Sequence, residues 1–167
     1  MTSTVDALDQ LAADLAIKDL AVRYSVAVDD RDLPVVLDSF TASGSFERAG
    51  QVVRGQDDLR SFFSGMMDRY VLTRHLVEMH IVDPREHVDR ASGTQHGSAE
   101  LVLGDTLYRA AYRYRDRYER EEGRWRFASR QLRFVYFLPA AELIDGVPTH
   151  DRVRLPGHDT RPSEHLD

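Results

Sequence analysis

Residues Thr106–Glu119 read Thr-Leu-Tyr-Arg-Ala-Ala-Tyr-Arg-Tyr-Arg-Asp-Arg-Tyr-Glu. Tyr108, Ala110, Tyr112, Tyr114 and Tyr118 share one parity; Arg109, Arg113, Arg115 and Arg117 share the other. An extended chain turns successive side chains to opposite faces, so the segment reads as a long strand with a tyrosine face packed and an arginine face solvated. Glu121-Glu122-Gly123 follows as a hairpin turn, and Trp125–Leu138 as the returning strand. Upstream, Leu72–Val82 and Val88–Leu103 are two further extended runs, ended by Asp83-Pro84 and by Gly104-Asp105. Long strands in succession, joined by short turns, predict an antiparallel meander. Strands of this length exceed the usual range, and a sheet built from them curls.

The N-terminal part has a different period. Across residues 4–28, Ile17, Leu20, Ala21, Tyr24 and Val28 fall on one face of a helix. Asp32 is a possible N-cap for a short helix over Pro34–Phe40. Gly44 and Gly50-Gln51 bracket two short strands, Ser45–Arg48 and Val52–Arg54. Leu59, Phe62, Phe63, Met66 and Tyr70 mark the apolar stripe of a third helix over Gln56–Tyr70, with Asp57-Asp58 in its first turn. Helices followed by a meander predict an α+β fold. The expected form is a cone-shaped, curved, mixed or antiparallel sheet wrapped by the N-terminal helices, an α+β barrel with a pocket inside. One domain is expected over residues 1–145, with an irregular tail over 146–167 that holds several prolines and histidines.

Composition narrows the chemistry. A chain of 167 residues with 42% hydrophobic residues can bury a core without covalent staples. There is no cysteine, hence no disulfide and no thiol nucleophile. The segment Met1-Thr-Ser-Thr-Val-Asp6 has neither a basic nor an apolar leader region, and no run is long enough to span a bilayer, so a cytoplasmic location is expected. A net charge of −6 argues against nucleic-acid or anionic-membrane partners. Lys18 is the only lysine, so a Schiff base could form nowhere else. There is no H-E-x-x-H, C-x-x-C, G-x-G-x-x-G or phosphate-loop pattern, and Ser61 and Ser64 lie in no nucleophile elbow. No metal and no cofactor are expected.

Two separated features carry the candidate chemistry. The cluster Asp29-Asp30-Arg31-Asp32 closes the first helix, and His75 lies in the strand after the third. A carboxylate that orients an imidazole makes a metal-free base. Alone, three acids in four residues usually make a solvated helix end, which is the bland reading of Asp29, although an acid there opposes the helix dipole. His75 reads equally as a core histidine bonded to backbone. Tyr24 sits in the apolar stripe of the first helix and is either core or pocket wall. Arg130 groups by parity with Ala128 and Leu132; buried, it needs either a ligand anion or an ion pair. His96 is either a second pocket histidine or a solvent-facing strand residue.

These segments resemble the SnoaL-like branch of the nuclear transport factor 2-like superfamily. That branch includes scytalone dehydratase, bile-acid 7α-dehydratase and hexachlorocyclohexane dehydrochlorinase. The likeness is carried by Leu15-Ala-Ile-Lys-Asp-Leu20 through Ala27-Val-Asp-Asp-Arg31, and by Tyr118-Glu-Arg-Glu-Glu-Gly-Arg-Trp-Arg-Phe127 on to Arg130 and Tyr136-Phe-Leu-Pro139. With the helix after Gly55 and the His75 strand, it spans about residues 8–145. The resemblance implies that Asp29 and His75 form a catalytic pair, with Tyr24, Arg130 and His96 as substrate-binding or assisting residues. It also implies a cofactor-independent lyase or isomerase, dehydratase-like, acting on a hydrophobic cyclic or polyketide-like molecule. The other reading is a non-catalytic module of the same fold that binds a small ligand or serves assembly. Epoxide hydrolysis would need paired acids in the pocket, for which Glu47, Glu78 and Glu100 are the candidates.

A homo-oligomer is expected, because both parities of the last strand are apolar. Trp125, Phe127, Val135 and Phe137 oppose Ala128, Leu132 and Phe134, and one narrow cone cannot hold both sets. The resemblance favours a trimer.

Overall fold

A computed structural model describes residues 4–83, 87–144, 146–148 and 150–165. The predicted break at Asp83-Pro84, the leader segment Met1–Asp6 and the domain boundary at Asp145 fall wholly or partly outside these residues. Helix α1 spans Thr4–Asp29, α2 Leu33–Asp38 and α3 Gly55–Arg69; the strands are β1 Phe40–Arg48, β2 Gln51–Arg54, β3 Leu72–Val82, β4 Arg90–Leu103, β5 Thr106–Glu121 and β6 Arg124–Pro139. They form one six-stranded sheet in the order β2-β1-β6-β5-β4-β3. β1 and β6 run parallel; every other pair is antiparallel. The expected α+β cone is observed as a curved, unclosed mixed sheet with the helices against it.

β1 begins earlier than local pattern predicts, at Phe40, and α2 ends correspondingly at Asp38. The cause is tertiary. Phe127 donates its N–H to Ser39 O at 2.8 Å and pairs with Phe40, which draws the chain out of the helix and onto β6.

The concave face carries the core. Ile17 and Ala21 of α1 and Leu59 of α3 are fully buried against it. Tyr24, Phe40, Phe46, Phe63 and Phe127 form an aromatic cluster with mostly edge-to-face or tilted contacts, the shortest at 5.2 Å between Phe46 and Phe63. Each such contact adds about 0.5–1.5 kcal/mol beyond area burial. Beyond Leu132, β1 no longer covers β6. The tail fills that place: Phe137 donates to Arg152 O, Arg154 donates to Phe137 O, and Val153 is fully buried. Among the described residues no helix is long and apolar enough to cross a membrane.

Three β-bulges, one in β3 and two in β6, decide which of those strands' side chains face inward. In β3, Val77 pairs with Gly97 and Met79 with His96, so Glu78 is the extra residue. In β6, Ala128 and Val135 are the extra residues opposite β5. Each bulge reverses the parity that follows it. Phe127, then Arg130, Leu132 and Phe134, then Phe137 therefore all face the interior and are buried. The sequence argument for an outward apolar parity on β6 is thus corrected: the bulges let one cone take both sets.

Gly97 marks a close approach of backbone to the interior. A Cβ there would lie 2.6 Å from Leu76 O and 2.7 Å from the Tyr112 hydroxyl. Gly97→Ala is expected to cost roughly 1–3 kcal/mol and lower the melting temperature by about 2–10 °C. Gly65, in α3 with nothing near it, is the control: Gly65→Ala should be neutral or stabilising by up to about 1 kcal/mol. Thermal unfolding followed by circular dichroism measures both, and equal shifts would contradict the packing argument.

Candidate active site

The last turn of α1 is ended by a Schellman arrangement. Asp32 N–H bonds to Ala27 O at 2.8 Å and Arg31 N–H to Val28 O at 3.3 Å. Arg31 takes the left-handed position, φ 58°, that glycine usually fills. Its guanidinium compensates by donating to Met67 O, Tyr70 O and Val71 O, which ties the end of α1 to the end of α3. Asp29 is thereby held at the helix end, facing β3.

Strand β3 is the edge of the sheet, so alternate N–H groups along it have no strand partner. Asp29 takes one of them. Its Oδ2 accepts the backbone N–H of His75 at 2.7 Å, and its Oδ1 lies 2.6 Å from His75 Nδ1. Partial burial opposes the charge on Asp29. The bonds and charge from His75, with a further bond from Thr73, outweigh it and hold the carboxyl below its ordinary value. With an ionised acceptor on Nδ1, that nitrogen carries the proton and Nε2 keeps the lone pair.

His75 forms part of the wall of a cavity of about 730 Å³, including its open mouth, between the concave sheet, α1 and α3. The wall is mostly apolar, with Phe62, Phe63, Met66, Leu101 and Phe134 prominent. Tyr24 also lines it, buried, with its ring edge-on to Phe40, Phe63 and Phe127.

Arg130 is not on the cavity wall. It is fully buried behind it, 3.3 Å from Asp116 and bonded to Gln95 Oε1. The rings of Tyr114, Phe127 and Tyr24 lie 3.7, 4.2 and 4.6 Å from its guanidinium carbon. Of the two sequence readings, the ion pair holds. Asp116 pairs directly with Arg130 across β5 and β6 and shares the tyrosine parity, the signal that sequence reading passed over. Burial pushes the Asp116 carboxyl pKa up against the pull of Arg130. His96 is corrected outright: it faces away from the cavity, on the other parity of β4, and Arg113 Nε donates to its Nε2 at 3.1 Å.

Sequence reasoning missed Tyr112, which it assigned to sheet packing. Its ring lies 6.2 Å from that of His75, it lines the cavity, and its buried hydroxyl has no hydrogen-bond partner among the described residues. Burial, then the neighbouring Tyr114, raises its pKa, so the hydroxyl stays protonated as a donor. The detectable signal was Gly97, directly opposite Tyr112 in the register, whose missing side chain leaves room for that ring. The three candidate acids lie elsewhere: Glu47 binds Arg133, Glu78 takes the Ser98 hydroxyl, and Glu100 binds Arg109 and Arg74. None lines the cavity.

Residues 9–131 match the family described as SnoaL-like domain. No curated protein matches the chain. A provisionally named scytalone dehydratase from Novosphingobium aromaticivorans is similar in structure, with a TM-score of 0.76 at 15% identity, over 93% of this chain and 96% of that one. A hexachlorocyclohexane dehydrochlorinase of LinA type 3 from Novosphingobium barchaimii gives a TM-score of 0.73 at 23% identity, over 82% and 96%. Rv3472 from Mycobacterium tuberculosis, of unknown function, gives 0.71 at 27%, over 81% and 78%.

The bulge at Glu78 turns His80 inward, where its Nε2–H meets the Tyr118 hydroxyl at 2.9 Å, and Tyr118 in turn donates to Asp116 at 3.0 Å. Burial, then the charges of Arg130 and Lys18, push the His80 pKa down to about 4. The unfolded chain therefore binds more protons than the native one between the ordinary value near 6.5 and about 4, and stability falls as pH drops through that window. His80→Phe removes this loss. Relative to the parent, the variant should gain about 1–2 kcal/mol between pH 6.5 and pH 4 after allowance for solvent screening. Urea unfolding across that range measures it; a pH-independent difference would contradict the buried neutral histidine.

Proposed function

The chain belongs to the SnoaL-like domain family, and we propose that it is a cofactor-independent lyase or isomerase of dehydratase type with His75 as its base. The observation that carries this reading is the two-point hold of Asp29 on His75 at the wall of an apolar cavity. His75 Nε2 takes a proton from a carbon of the substrate. The electron pair of that C–H bond forms a double bond, either expelling a leaving group from the adjacent carbon or giving an enolate. Asp29 keeps the imidazole in one tautomer and stabilises the imidazolium that forms. Tyr112 donates its unpartnered hydroxyl to the enolate oxygen or leaving group. Tyr24 packs the substrate, and Arg130 acts at one remove by fixing Tyr24 and Tyr114. The apolar wall keeps water from the base. The substrate class is a hydrophobic cyclic or polyketide-like molecule, a reading supported by the apolar, aromatic wall.

Proton abstraction is testable without the natural substrate. In D₂O, 2-tetralone, a fused-ring carbon acid, should gain deuterium beside its carbonyl faster with the protein than with buffer, followed by proton NMR. His75→Gln should slow the exchange about 10²–10⁴-fold, and Asp29→Asn should slow it as well. Equal exchange by parent and His75→Gln would remove the base assignment. A purely ligand-binding module would bind the ketone without exchanging it.

The same reading includes a homo-oligomer, a trimer by preference, in the cytoplasm. What now supports the oligomer is not β6 but the outer face of edge strand β3, where Leu72, Leu76, Met79 and Ile81 are 41–62% exposed on one side of the strand, with Arg74 between the first two. Covering these side chains is worth on the order of 25 cal/mol per Å². Multi-angle light scattering should give three protomers at micromolar concentration, and Met79→Asp together with Ile81→Asp should give one. A monomeric parent would contradict this part.

A further inference from the structure

Phe46 and Arg48 share the inward parity of β1, and both line the cavity; Glu47 between them turns outward to Arg133. The Arg48 guanidinium thus enters a largely apolar wall. Its partners are weak for a cation: Nη1 donates to the Met66 sulfur and Nη2 to the Tyr70 hydroxyl, both at 3.2 Å, with the Phe134 ring 6.0 Å away. No carboxylate among the described residues pairs with it. A guanidinium carries five N–H donors and cannot lose its charge, so the wall offers an unneutralised cation with donors to spare.

The rest of the wall has the same sign. Among the described residues that line the cavity, the permanently charged ones are Arg31 and Arg48, and none is Asp or Glu. Arg31 is engaged by three backbone carbonyls. This cationic interior sits inside a chain of net charge −6, so the sign is local. Tyr70 completes the geometry. Its oxygen accepts from Arg48, which leaves its O–H to donate to a third group. In the sheet, β3 is one edge and β1 lies beside the other edge strand, β2, with β6, β5 and β4 between β1 and β3. Arg48 and His75 are thus carried by strands on opposite sides of the curved sheet, and both line the cavity.

We infer that the ligand of this cavity is an organic anion, a fused-ring or comparably bulky carboxylate, whose carboxyl group sits on Arg48 and Tyr70 while its apolar body reaches across to His75. The inference deepens the base reading above and rests on it for the fate of that body; the anion seat itself is defined by Arg48 and Tyr70. A carboxylate accepts two parallel N–H bonds from one guanidinium, and desolvation by the surrounding apolar wall strengthens them. A neutral ligand would leave a cation in that wall unpaired. An anionic handle on one wall would also fix which carbon is presented to Nε2 on the other, the orientation that carbon-acid chemistry requires.

Isothermal titration with 2-naphthoate and its neutral isostere 2-naphthamide tests the seat directly. The parent protein should bind the carboxylate at least about tenfold more tightly than the amide. Arg48→Met should erase that preference by weakening the carboxylate while leaving the amide within about twofold; Arg48→Lys should keep part of it, and Tyr70→Phe should lose severalfold. If Arg48→Met fails to fold, as judged by its melting curve, Arg48→Gln takes its place. His75→Gln should retain the preference, since the seat is on the other wall. The inference is overturned if the parent binds both probes equally, if naphthoate does not bind up to millimolar concentration, if the preference survives loss of Arg48, or if it vanishes with His75. The outcomes separate from the base reading. Deuterium exchange that depends on His75, without any carboxylate preference, keeps the base and removes the anion seat. A preference that depends on Arg48, without exchange, keeps the seat and removes the base.

Discussion

One carboxylate joins the two halves of the molecule. Asp29 stands at the C-terminus of a helix, where the dipole disfavours a negative charge, and it faces the open edge of a sheet, where backbone donors lack partners. Its two oxygens resolve both problems, taking the N–H and the ring Nδ1 of His75. The helix end is held for this contact by the Arg31 turn, which spends a left-handed backbone position on a non-glycine residue and recovers it in three carbonyl bonds to the end of α3. Strand edge, helix end and candidate base are thus one structural unit. A change that moves α1 along β3 moves the imidazole with it.

Behind the cavity a second unit keeps the tyrosine face in register. Arg130 fills a fully buried position that a hydrophobic residue could have taken, and its charge is met by Asp116 on one side and by three ring faces on the other. Buried ion pairs seldom add net stability over an apolar replacement, but breaking one leaves an uncompensated charge. Its effect here is directional: the guanidinium plane fixes Tyr24 and Tyr114, and their neighbour Tyr112 is left as a hydroxyl without a hydrogen-bond partner among the described residues. A rigid polar layer therefore supports a wall that His75 and Tyr112, the candidate reactive groups, both line.

The period-two pattern of Thr106–Glu119 and the stripes of the two long helices were enough to reach the α+β cone, because long regular elements show their buried faces locally. Two things were not local. Bulges at Glu78, Ala128 and Val135 switch parity without a composition signal, so His80 inward and a single apolar interior for β6 could not be read from spacing. Likewise the start of β1 at Phe40 follows from a bond to a strand far along the chain. In the candidate site, Asp29 and His75 were legible as residue types, and their adjacency came through family resemblance, which carries fold geometry that spacing lacks. Tyr112 was hidden among tyrosines of equal parity. Arg48 was hidden among many arginines, since only the curvature of the sheet separates one that enters a cavity from one that meets solvent. His96 failed for the converse reason: the resemblance brought it near a pocket position, but its face on β4 is set by the strand's own parity, which turns it away from the cavity.

The central claim is that Asp29 fixes the tautomer of His75 and leaves Nε2 as a base toward the cavity. Long-range ¹⁵N–¹H correlation spectra of the histidine rings, recorded on the full chain in mildly alkaline buffer, test it most directly. The account predicts a His75 ring with a protonated Nδ1 and an unprotonated Nε2, the Nδ1–H resonance shifted far downfield by the carboxylate, and loss of that pattern in Asp29→Asn. A His75 ring protonated at Nε2, or a pattern unchanged by Asp29→Asn, would contradict it.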